Sequence, residues 1–428
     1  MERDRGTVIV LAGVALLVVT LAASAVLAPP RDVGDSQGSA TLVGVQGAGP
    51  GFHETGNVQL LNDSEMEWQH AVADSYFEAE RLPDGNVVVA FISDGYEACG
   101  SFESPCPRTG YRILDPDSGF EVVEEFSFPV RSKTNSETHA IDPLPDGGFA
   151  LVDMDRERLL VVEDGEVAWE WSASSVYEAP PDPTRVDWLH MNDVEYLGDD
   201  RFMVSVRNAN QIVIVERGAG VVEVINEDRG EASEETCRQP GELTDYDDDG
   251  EVRCGDPEII HRQHNPHWLG DGAVLVADSE NDRVVELARA DDGWEPVWSL
   301  ERAGTLDLHW PRDADRLPNG NTLVTDTFNK RIVEVTGNGT VVWGASIEDV
   351  PYEADRRPFG EQVGVPTYDG GDAVVERGAG GIPVLSTIVV ALHAGVPGMP
   401  YWVQELQVLF ALVSLALVAV GLVVRYRG

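Results

Sequence analysis

Lysine is nearly absent from this chain: two residues, Lys133 and Lys330, in 428. Thirty basic residues face 75 acidic ones, a formal charge of -45. Nothing resembles the basic patch that phosphate backbones require, so nucleic acid is excluded as a partner. The acidity does not signal disorder, because 43% of residues are hydrophobic and ten are tryptophan, a composition that packs a core. The charge therefore lies on the surface. Its self-repulsion is relieved when molar salt shortens the Debye length to about 3 Å, and we read the balance as adaptation to high salt. Cysteine is also scarce. Its four residues form two local pairs, Cys99 with Cys106 and Cys237 with Cys254. Neither pair has CxxC spacing with histidines close by, so two disulfides and an oxidising compartment are expected rather than a metal centre.

Long apolar runs occur near the two ends only. Val8–Leu27 is uncharged and follows Arg3 and Arg5, and about twenty such residues cross a bilayer as a helix. Small residues at Ala23–Ala25 would suit a signal peptidase, but the run exceeds the usual signal core of about 7 to 15, which favours a retained anchor. Leu406–Val424 ends in Arg425 and Arg427, and the positive-inside rule places both termini in the cytoplasm and everything between outside. Two sequons, at Asn62 and Asn338, agree with that side. Ile382–Leu392 is too short to span and precedes Gly395, Pro397, Gly398 and Pro400, as expected of an interfacial helix. The organisation read from the chain is a cytoplasmic stretch 1–6, a transmembrane helix 7–27, a linker 28–40, a folded domain 41–360, a linker with the interfacial segment 361–405, a transmembrane helix 406–424 and a cytoplasmic tail 425–428.

The folded domain repeats itself. Five Leu-led turns recur: Leu82-Pro-Asp-Gly-Asn86, Leu144-Pro-Asp-Gly-Gly148, Leu197-Gly-Asp-Asp200, Leu269-Gly-Asp-Gly272 and Leu317-Pro-Asn-Gly-Asn321. Asp-Gly and Asn-Gly supply the positive φ of tight hairpins, and the flanking Val/Ile/Leu runs read as short strands. Two copies close on Trp298 and Trp343, and a degenerate sixth begins near Thr41 with Trp68 in the closing role. Four strands per repeat of about 40 to 50 residues, ending in a tryptophan, are the signature of a propeller blade. The fold class expected is all-β, a six-bladed β-propeller with a transmembrane helix at each end. A sandwich would not repeat a whole motif this closely.

In four consecutive repeats a histidine precedes the turn by five to eight residues: His139, His190, His264 and His309. The strand before the first turn of a blade is innermost, so residues at its start converge at one end of the central channel. Arginines recur on later strands, Arg207, Arg283 and Arg331, and Arg312 follows His309-Trp-Pro. In the Asp-x4-Arg units a carboxylate can brace the guanidinium without any function, the reading preferred for Arg331. Imidazoles and guanidiniums gathered inside an acidic protein make an anion site.

Asp187-Trp-Leu-His190-Met-Asn192, Ser205-Val-Arg207-Asn and Arg262-Gln-His264-Asn265 resemble motifs of the arylsulfate sulfotransferases. The cysteine loop before Gln-His and Arg283 in its Arg-Val-Val-Glu context are similar to that family as well. The likeness covers roughly residues 40 to 345. It implies a six-bladed propeller that moves a sulfuryl group from an aryl sulfate to a phenol through a sulfurylated histidine, with no nucleotide sulfate donor and no cofactor. His190, His264 and Arg283 would clamp the sulfuryl oxygens and Arg207 would hold substrate. Asn192, Asn265, His139 and Arg312 join as substrate-binding candidates. By chain order His309 is the candidate nucleophile, although Leu308-His309-Trp-Pro-Arg312 departs from the family's context there. The alternative is a non-catalytic propeller that binds protein or polysaccharide, and the in-phase histidines favour the enzyme.

One further motif lies in the insertion before Pro257. Asp245, Asp247 and Asp249, then Gly250, Glu251, Val252 and Asp256, follow the spacing of a calcium loop, with Asp in place of the usual final Glu and no flanking helices. A structural calcium there is an expectation, with a solvated acidic loop as its alternative. His261, His264 and His267 do not read as a transition-metal set, since period three on a strand alternates faces.

Overall fold

The computed structural model describes residues 2–34, 36, 38–227, 243–246, 252–270, 272–291, 293–358, 360–368, 383–396 and 398–427. It separates into a propeller unit, Arg31–Arg377, and a helical unit, Met1–Pro30 with Gly378–Gly428.

The expected six blades are present, each with four antiparallel strands in meander order. Their innermost strands are Val350–Arg356 in blade 1, Ser75–Arg81 in blade 2, Ile141–Pro143 in blade 3, Met191–Gly198 in blade 4, His264–Gly270 in blade 5 and Asp313–Arg316 in blade 6. All five Leu-led turns join an innermost strand to its neighbour. Blade 1 is the exception in construction. Its inner strand comes from the far end of the domain and pairs with Ala40–Gly47 in the register Thr41 to Arg356 and Gly47 to Val350. The ring is thus closed by hydrogen bonds between its two ends. Val33–Gly34, expected in a linker, instead pairs with Trp343 and Gly344 and adds a fifth strand to the rim of blade 6.

Apolar side chains fill the interfaces between blades, where sheet faces stack. Met203, Ile212 and Ile214 of blade 4 meet Trp268, Val274 and Val276 of blade 5. The closing tryptophans do as expected: Trp298 packs against blade 6 residues Ala314 and Val324, and Trp343 against Val43, Val45 and Ala354 of blade 1.

Backbone N–H groups on the channel side of innermost strands have no ladder partner, and a side chain from the preceding blade satisfies one in each. Glu353 accepts from Ala79 N–H (2.9 Å), Glu78 from Ile141 (2.8 Å), Asp142 from Tyr196, Glu195 from Trp268 (2.7 Å) and Asp313 from Ala354 (3.0 Å). Between blades 5 and 6 the acceptor is His267 Nδ1, which takes Arg316 N–H at 3.2 Å. The six links close a belt around the axis.

Cys99 and Cys106 form the expected disulfide, with Cα atoms 5.8 Å apart. Cys254 is disulfide-bonded; Cys237, its expected partner, lies outside the described residues, as do Asp247, Asp249 and Glu251 of the expected calcium loop. Asp256 is described, and its Oδ1 accepts from Glu258 N–H at 2.9 Å.

In the helical unit, α1 (Glu2–Leu27) and α3 (Glu405–Arg427) are long and apolar enough to cross a membrane. They run antiparallel at close range. A Cβ at Gly6 would lie 2.6 Å from Arg425 N, and one at Gly13 would lie 2.8 Å from Ser414 O, so glycine is what lets the backbones approach. The short helix α2 (Pro383–Gly395) packs Leu385 and Val389 on Val408 of α3.

Candidate functional site

Three of the four in-phase histidines meet at one end of the channel. His139 precedes the inner strand of blade 3, His190 that of blade 4, and His264 begins that of blade 5. The ring of His139 lies 5.7 Å from His190 and 4.8 Å from Tyr352; Tyr352 is 6.0 Å from His264. His309, at the matching place before blade 6, sits edge-on to Phe328 at 5.2 Å. Phe328 stacks on Trp310 at 4.5 Å, and Trp310 is 6.1 Å from His264. An aromatic wall of Phe52, Trp310, Phe328 and Tyr352 therefore flanks the imidazoles.

Each of two histidines is held in a defined tautomer. His190 Nδ1 is 2.6 Å from Asp187 Oδ1. Burial works against the Asp187 carboxylate, yet the adjacent His190, Arg207 and Arg262 hold it below its ordinary range. An ionised carboxylate only accepts, so His190 carries its proton on Nδ1 and presents an Nε2 lone pair. His264 Nδ1 lies 2.8 Å from Ser279 Oγ, whose single hydrogen is directed to Pro311 O at 2.7 Å. Ser279 must then accept from His264 Nδ1–H, leaving Nε2 of His264 unprotonated.

The loop bearing His190 is fastened from beneath by a residue that has no counterpart in the motif. Glu157 Oε1 accepts from Leu189 and His190 N–H at 2.9 and 2.6 Å, and Oε2 from Met191 N–H at 2.9 Å. These bonds sustain His190 in the left-handed region, φ 54°, which a β-carbon disfavours. Burial raises the Glu157 carboxyl to about 8 against the pull of those donors. Asn208, following Arg207, donates to Asp187 O and Trp188 O at 3.0 and 3.1 Å and so brings Arg207 Nη1 to 4.0 Å from Asp187.

Arg312 is buried at the same end. Its guanidinium lies 4.3 Å from the Trp310 ring centroid and 5.0 Å from that of Tyr352, and it donates to Gln46 Oε1. Among the described residues no carboxylate lies within ion-pair distance of it. Burial lowers its pKa to about 10. His139 is 4% exposed, and neither ring nitrogen has a hydrogen-bond partner; the phenol of Tyr352 is likewise unpartnered. Burial, then the neighbouring imidazoles and guanidiniums, holds His139 and His264 well below the ordinary 6.5. His190 is lowered by burial and Arg207, with Asp187 opposing. His139, His190 and His264 are thus held toward their neutral forms, and the fixed positive charge comes from arginine. Such a place has the chemistry to hold an anion and to offer it unprotonated imidazole nitrogens.

Three sequence-predicted residues are placed elsewhere. Arg283 spends its guanidinium on Asp278 (2.6 Å) and on the carbonyls of Glu258 and Ile259. The same brace joins Arg331 to Asp326 at 2.7 Å. Asp278 in turn accepts from His261 N–H at 2.6 Å, so Arg283 steadies the loop that leads to His264. Asn192 donates to Gln263 O at 2.9 Å, linking blades 4 and 5. Asn265 lines a second cavity together with the acidic side chains of the inner strands.

Residues 139–291 match the family model described as arylsulfotransferase (ASST). The stretch includes His139, His190, Arg207, His264 and Arg283 and stops short of His309 and Arg312. No curated protein matches the chain. Among solved structures, similar chains include a protein of unknown function from Bacteroides caccae, 13% identical, with 74% of this chain and 98% of that one covered at a TM-score of 0.48. A periplasmic gluconolactonase from Pseudomonas aeruginosa is 12% identical over 74% and 98%, TM-score 0.41. Virginiamycin B lyase from Staphylococcus aureus is 10% identical over 69% and 82%, TM-score 0.38.

Proposed function

We propose that the chain is an aryl sulfotransferase whose sulfuryl carrier is a histidine at the imidazole end of the propeller. The observation that carries this reading is the convergence of two tautomer-fixed imidazoles, His190 and His264, with Arg207 and Arg312 in one buried, aromatic-walled place. The match of residues 139–291 to the arylsulfotransferase model supports it. A sulfuryl group in flight spreads charge over three oxygens, and positioned cations are what such a transfer needs.

Geometry favours His264 as carrier, because its Nδ1–H is tied to Ser279 and its Nε2 is kept unprotonated. Chain order alone would point to His309 instead. In the first half-reaction the Nε2 lone pair of the carrier attacks sulfur, the sulfur–aryl oxygen bond breaks, and the aryl group leaves as phenolate, which takes any proton it needs from solvent. In the second, the acceptor phenol gives its proton to His190 Nε2, its oxygen attacks sulfur, and the nitrogen–sulfur bond breaks. His190 thus takes one proton from the acceptor with each turnover and returns it to solvent, and the Asp187 carboxylate stabilises the imidazolium in between. Arg312 and Arg207 neutralise the sulfate, the aromatic wall takes the donor ring, and Arg283 acts as a positioning residue through Asp278.

We infer that the propeller lies outside the cytoplasm, tethered by α1 and α3 with both ends inside, a reading supported by the Cys99–Cys106 bridge. The test is full-length protein in molar salt with a chromogenic aryl sulfate. Phenol release that depends on an added phenol acceptor and is lost in His190→Ala and His264→Ala supports transfer. Absence of turnover across a panel of aryl sulfates sinks the reading, and release into water at the same rate without acceptor makes the chain a sulfatase instead.

A further inference from the structure

We propose that the acidic chamber of the propeller channel is a divalent-cation site, calcium by its ligand chemistry, held by Asp313, Asp315 and Glu361. The chamber, about 260 Å³, is lined by Glu78, Glu80, Asp142, Asp193, Glu195, Glu353, Asp355 and Glu361, with Arg81 and Arg357 among its lining residues. Many of these carboxylates already have structural employment. Glu78, Asp142, Glu195 and Glu353 belong to the belt of side chains that cap inner-strand N–H groups. Asp315 and Glu361 have no part in the belt, and Asp313 uses Oδ2 there.

Oxygens of Asp313, Asp315 and Glu361 lie within 4.8 Å of one another. Oxygens that close can surround one ion, and a set made of protein carboxylates is what calcium takes, whereas magnesium usually keeps several waters and only one or two carboxylates. All three donors are hard oxygens, and no sulfur or imidazole joins them, which excludes the softer transition metals.

Two buried, unpartnered oxygens point to a ligand independently of the clustering. Asp315 is 2% exposed and its Oδ1 has no hydrogen-bond partner. The nearby ring does not supply one. His267 Nδ1 is 3.7 Å away, but that nitrogen spends its lone pair on Arg316 N–H and so has no proton to offer Asp315. Asn265 is 4% exposed, lines the chamber together with Glu361, and its Oδ1 is also without a partner. A carboxylate and an amide oxygen buried without donors each cost free energy that a cation recovers.

The experiment uses the full-length chain in detergent, stripped by chelation and then titrated with calcium chloride, with bound calcium counted by equilibrium dialysis and the melting temperature followed in parallel. One calcium per chain is expected, raising the melting temperature by mass action. Asp315→Asn and Glu361→Gln should each weaken binding at least tenfold. Asp315→Asn also removes like-charge repulsion, so its metal-free form should melt no lower than the metal-free parent, which separates lost binding from lost folding. Asp247→Asn and Asp249→Asn, in the loop expected from sequence to hold calcium, should leave the stoichiometry and affinity unchanged. Calcium binding that survives Asp315→Asn and Glu361→Gln, or disappears in the loop variants, overturns the assignment, as does absence of binding at millimolar calcium.

Discussion

The carboxylate of Asp187 receives the Nδ1 proton of His190 across 2.6 Å, three residues away on the same loop. This dyad leaves Nε2 of His190 without the proton, and in the proposed transfer that separates the two half-reactions. Departure of a nitrophenolate needs no proton, while attack by an ordinary phenol, of pKa about 10, needs a base. Asp187→Asn should therefore leave the first release of nitrophenolate nearly unchanged and slow transfer to phenol roughly 100-fold. Rapid-mixing kinetics with donor alone and with donor plus acceptor read the two steps apart. Equal loss in both would assign Asp187 to substrate binding or to folding.

Burial and the nearby arginines hold His264 well below the ordinary imidazole value of 6.5. The attacking form is neutral, and a lowered pKa keeps it neutral to lower pH. The acid limb of kcat/KM for the donor should accordingly fall below pH 6.5. Replacing Arg312 by Gln removes a neighbouring cation that depresses this group, so the limb should move to higher pH while donor binding weakens. An acid limb above 6.5 in the parent chain would contradict the assignment.

Glu157 satisfies three successive N–H groups of the His190 loop with two carboxylate oxygens. In Glu157→Gln the amide oxygen serves one side only, and the NH2 group meets an N–H. A buried donor left without an acceptor costs about 1–3 kcal/mol. Above pH 8, where Glu157 is ionised, chemical denaturation should show a loss of that size, and His190-dependent turnover should fall further than the stability loss explains. A midpoint within error of the parent would show that the loop does not depend on Glu157.

The blades were legible because hairpin chemistry is local: Leu82-Pro-Asp-Gly-Asn86 and its four counterparts specify their turns within five residues. The phase of His139, His190 and His264 carried through to the site for the same reason, since it depends only on distance from that turn. The closing strand Val350–Arg356 was not legible. Its partner Ala40–Gly47 lies some three hundred residues away with no turn between them, and Tyr352 was lost with it. Arg283 was misplaced because Asp278-x4-Arg283 and Asp326-x4-Arg331 are the same brace, and resemblance drew only the first toward the chemistry. Glu78, Asp142, Glu195, Asp313 and Glu353 were hidden by the acidity of the whole chain. Their signal is position, on inner strands whose neighbours are buried.

The central claim is that a histidine of this cluster carries the sulfuryl group. Full-length protein incubated with an aryl sulfate in the absence of acceptor, quenched at alkaline pH and analysed by peptide mass spectrometry, tests it most directly. The account predicts one sulfuryl adduct on the peptide bearing His264, discharged by added phenol and absent in His264→Ala. Acceptor-dependent turnover with no adduct on His139, His190, His264 or His309 would contradict it.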